Sequence, residues 1–433
     1  MDASQQQVPY HVRMDSEDAL KLVKQGASLL ILDVPPSTSF GIDQQMFVVG
    51  PNFKGVKMMP PGPHFIYYSV ASRHGGDTSP ITGFFLYVSS SEVIVKSWDP
   101  KQERVVNLPD ENEAERYAHG VRNMEFDANL APYDLPHHAT WWHLSNYINQ
   151  ATINRLQPVG GDISIMAEAA LVETGPMTQA EKKMYEHSAM LRQRFPDFST
   201  PGDNQGSQPS SSGRCFYTRL PGLVKRVGMS TSELTAMNLD KSEQLESVLK
   251  DLYGGEEDLL LGEFQFAFIA FLMGQSLEAF GQWKALVSFL FGCNKAPLQS
   301  RTKFFAKFLD ALYWQLKQGL KGNATSTQSP TVDDSWFTDD IFLRYHYKNF
   351  IQLIRDAQAI DGDLLNKTKR LRKLVESVLG WTVDEDTEID EDDESMIYID
   401  KATSWSRKGV NAKECPNQFS SFAGFFVRCL RVV

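Results

Sequence analysis

GPNFKGVKMMPPGPHFIYY, residues 50–68, sets three glycines and four prolines around and ahead of the apolar run Phe65-Ile66-Tyr67-Tyr68. Each proline fixes φ and removes an N–H donor, while Gly50, Gly55 and Gly62 open positive φ. The stretch therefore reads as a strand, a rigid turn and a second strand, and not as a helix. Gly50 and Gly55 have the spacing of a phosphate-binding loop, but Val56 stands where the lysine is required and Met58 follows Lys57. Without that lysine and a following hydroxyl, the loop cannot reach phosphate or metal in the usual way.

Working outward, short β-prone runs lie on both sides of this block: Leu29–Val34, Met46–Val49, Phe65–Val70, Ile81–Ser89, Val93–Trp98 and Val105–Leu108. Many short strands with Gly/Pro punctuation predict a sandwich-like sheet domain. A short helix is expected from Asp15 or Ser16 through Gln25. Ala114, Tyr117, Val121 and Met124 recur at spacings of three and four, the mark of an amphipathic helix. Another helix is expected over 136–150, and further strands over Ile163–Ala167 and Cys215–Leu220. Between those two strands an insertion in the N-terminal domain runs over about 175–213, with a linker between domains as the competing reading. Its stretch Ser199–Gly213 contains only Ser, Thr, Pro, Gly, Asp, Asn and Gln, with nothing apolar to offset the entropy of ordering.

From about Ser230 the period becomes helical. Leu245, Val248, Leu249 and Leu252 mark one helix, closed near Gly254-Gly255. Phe264–Met273 is apolar on every face, as a central helix must be. Leu277, Phe280, Trp283, Val287 and Leu290 make the next stripe, followed by Phe305, Leu309, Leu312 and Leu316. Phe342, Phe350 and Leu353 lie on another helix, and Leu364, Thr368, Leu371, Val375 and Val378 on the last. The expected architecture is α+β: an N-terminal mainly-β, sandwich-like domain over 1–229, a C-terminal α-helical domain over 230–381, and a tail over 382–433 that is expected to be unfolded when free.

Chemistry is sparse. Four cysteines at 215, 293, 415 and 429 form no zinc spacing. His138 and His143 would sit about 140° apart on a helix, and His137 does no better, so three-ligand metal binding there is disfavoured. His64 reads as a buried hydrogen-bonding histidine. The enzyme alternative is a site in the β domain around His64, Lys57 and Asp43, but no nucleophile with a positioned base can be named. No cofactor is expected.

The net charge of −11 argues against general affinity for a phosphate backbone, so direct RNA contact is not expected to dominate. Nine of the eleven residues from Asp384 to Glu394 are acidic, which leaves the rest of the chain close to neutral. The basic run Lys367, Lys369, Arg370, Arg372 and Lys373 is the best electrostatic candidate for an acidic partner, against the commoner solvated helix face. MDASQQQVPY lacks the basic start and apolar core of a signal peptide, and no apolar window approaches a membrane span. A soluble, intracellular, reduced protein with no membrane contact is expected.

Several motifs in register resemble the alpha-two-repression (AAR-type) splicing factor family. They are Phe40-Gly41-Ile42-Asp43, the run from Val49 to Phe65, Gly83-Phe84-Phe85, Trp142-x-Leu144-Ser145-x-Tyr147-Ile148, Leu156-Gln157-Pro158, Gly262-Glu263-x-Gln265-Phe266-x-Phe268 and Glu278-Ala279-Phe280-x-x-Trp283-Lys284. The resemblance implies a non-catalytic assembly factor of the U5 snRNP, found in cytoplasm and nucleus. It implies binding to the large U5 splicing core scaffold protein through that partner's RNase H-like and MPN-type domains, delaying the helicase. Met396, Ile397, Tyr398 and Ile399, after the acidic run, could supply a strand to a partner's sheet. Lys369, Arg370 and Lys373 are the other candidate contacts, and Thr200 and Ser329, each before a proline, are candidate phosphosites. Lys401–Val433 departs from the resemblance and ends apolar and basic, as an altered reading frame or retained intron would produce.

Overall fold

A computed structural model describes residues 25–70, 79–164, 179–194, 214–222, 239–320, 335–338 and 341–381. The chain divides into two compact units. One comprises residues up to Ala167 with Leu191–Phe216 and Met273–Gln275; the other comprises Glu168–Met190, Tyr217–Leu272 and Ser276 onward. The architecture is α+β, with strands over about 27–164 and helices over about 242–379. Tyr217 and the residues after it fall with the helical unit, where the sequence placed the change of domain at 229/230.

Among the described residues the first unit holds ten strands: β1 (Ala27–Leu32), β2 (Ser39–Ile42), β3 (Gln45–Val48), β4 (Gly55–Met59), β5 (Gly62–Ser69), β6 (Thr82–Val88), β7 (Val93–Asp99), β8 (Arg104–Asn107), β9 (Leu130–Pro132) and β10 (Ile163–Ser164). They form two five-stranded sheets, ordered β8-β7-β1-β4-β9 and β10-β6-β5-β2-β3. The block at 50–68 is the corner between them. β4 belongs to one sheet and β5 to the other, so Pro60 and Pro61 turn the chain across the sandwich and not back along a hairpin.

Gly55 shows why this corner tolerates no side chain. Its φ is +132°, and a Cβ would lie 1.9 Å from the carbonyl oxygen of Leu29 on the paired strand β1. Leu29 and Ile31 of β1, Val56 of β4, and Phe40, Ile42, Ile66 and Phe84 of the opposing sheet share one buried core. Leu30 and Leu32 point the other way, where Tyr117 and Val121 of α1 (Glu111–Arg122) pack against their cluster. Burial on both faces is why β1 reads as continuous apolar residues and not as alternation.

Three secondary-structure expectations change. α1 ends at Arg122, so Met124, with φ of 62° and 58% exposed, lies beyond the stripe it seemed to extend. The helix expected over 136–150 is α2 (Leu135–Ser145), which stops short, and Asn149 accepts a hydrogen bond from Thr152 N and starts a separate helix, α3 (Gln150–Leu156), that the sequence reading did not expect. Cys215–Leu220 is irregular backbone without a sheet partner. β10 accounts for the first two residues of the strand expected from Ile163; 165–167, the helix before Gln25 and the segment 199–213 lie outside the described residues.

After α4 (Gln179–Arg194), the helical unit contains α5 (Ser242–Tyr253), α6 (Glu257–Leu272), α7 (Leu277–Phe291), α8 (Thr302–Gly319), α9 (Ser335–Thr338), α10 (Ile341–Asp356) and α11 (Gly362–Leu379). Gly254, in the left-handed region at φ 62°, closes α5, and the buried position near that end is Tyr253, with Leu252 exposed. Every residue of α6 from Leu260 to Leu272 is buried, Glu263 and Gln265 among them, as a largely apolar sequence on every face requires. Trp283 of α7 is 1% exposed between Phe264, Phe268 and Phe280, and its Nε1 donates to Gln315 Oε1 at 2.8 Å.

Candidate partner-binding surface

The basic run lies on α11, whose Leu364, Thr368, Leu371 and Val375 are buried. Two acidic residues claim most of its cations. Lys367 Nζ donates to Asp310 Oδ1 at 3.0 Å, Arg370 Nη1 donates to the same oxygen at 2.9 Å, and Arg372 Nε donates to Glu376 Oε1 at 2.6 Å. The Arg370 guanidinium also lies 3.8 Å above the ring centroid of Tyr313 on α8, and Lys317 Nζ lies 4.6 Å from that of Trp314. Such stacking orients a guanidinium and keeps its charge near the surface. Lys369 and Lys373, one turn apart, are exposed and enter no ion pair among the described residues. The face thus has a held cationic floor and two projecting ammonium groups. Tyr313, Trp314 and Lys317 were not singled out by sequence, because they belong to a different helix.

At the end of α11, Gly380 takes the left-handed conformation at φ 66° and Trp381 is buried beside Tyr347 of α10, ring centroids 6.4 Å apart. Met396, Ile397, Tyr398 and Ile399 lie outside the described residues, as do Thr200 and Ser329.

The enzyme alternative meets different geometry. The β2–β3 connection has only Asp43 and Gln44 between paired Ile42 and Gln45, and Asp43 takes φ 53°, a conformation that tight hairpins demand and Asp tolerates. Its carboxylate is thereby aimed inward, 2% exposed. It accepts from Phe65 N at 2.8 Å and Tyr133 Oη at 2.7 Å, and lies 2.6 Å from His64 Nδ1. His64 Nε2 is 2.7 Å from the Pro60 carbonyl oxygen, which can only accept. Burial disfavours the charged ring, but the Asp43 charge and the hydrogen bonds to Asp43 and Pro60 outweigh it and raise the His64 pKa above 6.5. Imidazolium and carboxylate therefore form a closed, satisfied pair. Lys57 does not join them; its Nζ donates to the backbone and side chain of Asp127.

The histidines of α2 do not converge. His137 pairs with Asp134, His138 meets the Tyr133 ring edge-on, and His143 packs on Trp142. Among the described residues, no group of three or more His, Cys, Asp or Glu could hold a metal ion, and no helix is long and apolar enough to cross a membrane.

A second buried carboxylate organises the helical unit. Glu263, 1% exposed, accepts from Thr218 N, Thr218 Oγ1, Tyr253 Oη and Gln282 Nε2, all between 2.7 and 2.8 Å. These bonds fasten the irregular 217–220 segment to α5, α6 and α7, and they explain why a glutamate interrupts an otherwise apolar helix. Sequence spacing carried no trace of it, since the partners lie up to 45 residues away.

Family comparisons bear on both units. The family model of the AAR2 N-terminal domain matches residues 25–158, and that of the AAR2 C-terminal repeat region matches residues 217–384. The chain belongs to the AAR2 family. It is 32% identical over 318 residues to the protein AAR2 homolog of Mus musculus, covering 70% of this chain and 79% of the relative. It is 32% identical over 317 residues to the Homo sapiens homolog, with the same coverage. With the Caenorhabditis elegans homolog it shares 30% over 367 residues, covering 83% and 95%. The motifs that carried the AAR-type resemblance occupy structural centres: Gly41 lies under the ring of Tyr67, where a Cβ would come within 2.1 Å, His64 closes the Asp43 network, and Glu263 and Trp283 anchor the helices.

Proposed function

We propose that this chain is a non-catalytic assembly factor for the U5 snRNP in pre-mRNA splicing, working in cytoplasm and nucleus. It would bind the large splicing core scaffold protein and delay recruitment of the helicase. The single observation that carries this reading is AAR2-family membership extending through both folded units. The surface chemistry supports it: the candidate α11 cations lie on an open helix face suited to an acidic protein surface, whereas Asp43 and His64 are consumed by internal bonds beneath the β-sandwich surface. Direct contact with RNA is secondary in this reading. The test is capture of the tagged full chain from cell extract followed by mass spectrometry. The U5 scaffold protein should be enriched without the helicase; recovery of neither U5 component would overturn the proposal.

A further inference from the structure

The cationic face of α8 and α11 carries a charge surplus that the fold leaves open. Asp310 and Glu376 offset part of the charge of Lys367, Arg370 and Arg372, while Lys369 and Lys373 project into solvent and Lys317 lies over Trp314. The way the chain leaves α11 bears on what covers this face. Gly380 ends α11 in the left-handed conformation, and Trp381 tucks against Tyr347, whose hydroxyl lies within the electrostatic reach of Arg372 and Glu376 on the preceding turns.

Reach and charge select the occupant. At 1.5 Å rise per residue, Lys373 lies about 10 Å and Lys369 about 17 Å back from Gly380, and eleven extended residues span up to roughly 36 Å. The segment Asp384–Glu394, with nine carboxylates, begins three residues after the buried Trp381. Arg370 and Lys317 already lie over the Tyr313 and Trp314 rings, so the aromatic surface open to a stacking nucleobase is reduced while the charge remains. An acidic peptide fits this arrangement better than RNA does.

We infer that residues 384–394 of this same chain dock on the α8–α11 face, with carboxylates paired to Lys369 and Lys373. The tether makes the contact intramolecular, so its effective concentration is in the millimolar range that short linkers give.

The test uses the full chain and a carbodiimide, which joins a carboxylate to a lysine amine only where the two touch. Peptide mapping of the monomer should place cross-links from 384–394 on Lys369 or Lys373, and their yield should fall about fivefold at ~0.5 M salt, where screening is short-ranged. A full-chain variant with those nine acidic residues changed to Asn or Gln should bind an added 384–394 peptide that the intact chain does not bind. K369E/K373E should abolish both signals. Cross-links distributed over all exposed lysines, or confined to dimers, would overturn the inference. So would tighter binding of an oligouridylate than of the peptide by the Asn/Gln variant, since that would make the face a nucleic-acid site.

Discussion

The buried Asp43–His64 pair makes the first unit sensitive to pH in a defined direction. The His64 pKa is raised in the fold, so its stabilisation is complete below about 6.5 and is lost as pH climbs through the higher folded value. His138, whose pKa burial lowers, contributes the opposite slope, so the informative quantity is the difference between wild type and H64Q. That difference should be about 3–5 kcal/mol below pH 6, where removing one partner strands a buried charge, and should shrink toward alkaline pH in denaturant titrations. A gap independent of pH would mean that the ring is held neutral. Glu263 gives a second residue-scale case: E263A takes the acceptor from the Thr218 N–H and hydroxyl, leaves Tyr253 and Gln282 their bonds to Thr218, and should cost ~3 kcal/mol of the helical unit's stability in chemical melts. The Glu263 network was not legible in sequence, and the Asp43–His64 pair only as two members of the grouping His64, Lys57 and Asp43. His64 was read as a buried hydrogen-bonding histidine, but its partners are set by a turn conformation at Asp43 and by Tyr133, 90 residues from Asp43, and no local period records such contacts.

At the scale of elements, legibility followed burial. α6 and β1 were readable because sequence that is apolar on nearly every face points to burial on all sides, and the Gly/Pro block was readable because its backbone has few allowed conformations. Boundaries were less so: Met124 and Leu252 keep the helical spacing although their side chains face solvent, and the break at Asn149 depends on a cap. W283A should cost about 3–5 kcal/mol, a buried aromatic truncation that also deprives Gln315 of its donor. W283F, which keeps most of the ring packing, should lose less. Wild-type melting with lost scaffold capture would instead make Trp283 a contact residue. The end of α11 offers a sharper comparison. Truncation after Trp381 should leave the helical unit's melting temperature near wild type, whereas truncation after Gly380 removes the Tyr347 contact and should lower it by several degrees, roughly what 1 kcal/mol produces.

For the whole molecule, the prediction concerns recruitment. Removing residues after Trp381 uncovers the α11 cations but deletes the acidic run and the β-prone Met396–Ile399; with the strand as the larger contribution, affinity for the U5 scaffold protein should fall at low salt, with the deficit narrowing as salt screens electrostatic steering. Equal low-salt affinity of full-length and truncated chains in calorimetry would assign the whole interface to the folded units. The division into a sheet unit and a helical unit was evident from the change of apolar period. The assignment of residues after Tyr217 to the helices was not, because it rests on the Glu263 network and not on any regular element of their own.

The two sheets also differ in when they can exist. Strands β2, β3, β5 and β6 pair antiparallel within residues 39–88, so that sheet can begin to assemble from nearby partners. The other sheet must bring β1 beside β7 in parallel, Ser28 opposite Val93, and β4 beside β9, Gly55 opposite Leu130. Closing such long loops before any contact rewards them is slow. On a ribosome, β1 would leave the exit tunnel with both faces apolar and wait for some sixty residues of synthesis, at about 5–20 residues per second, before its parallel neighbour arrives. Ile66→Val in β5 should therefore slow refolding, while Ile31→Val in β1 should act mainly by speeding unfolding.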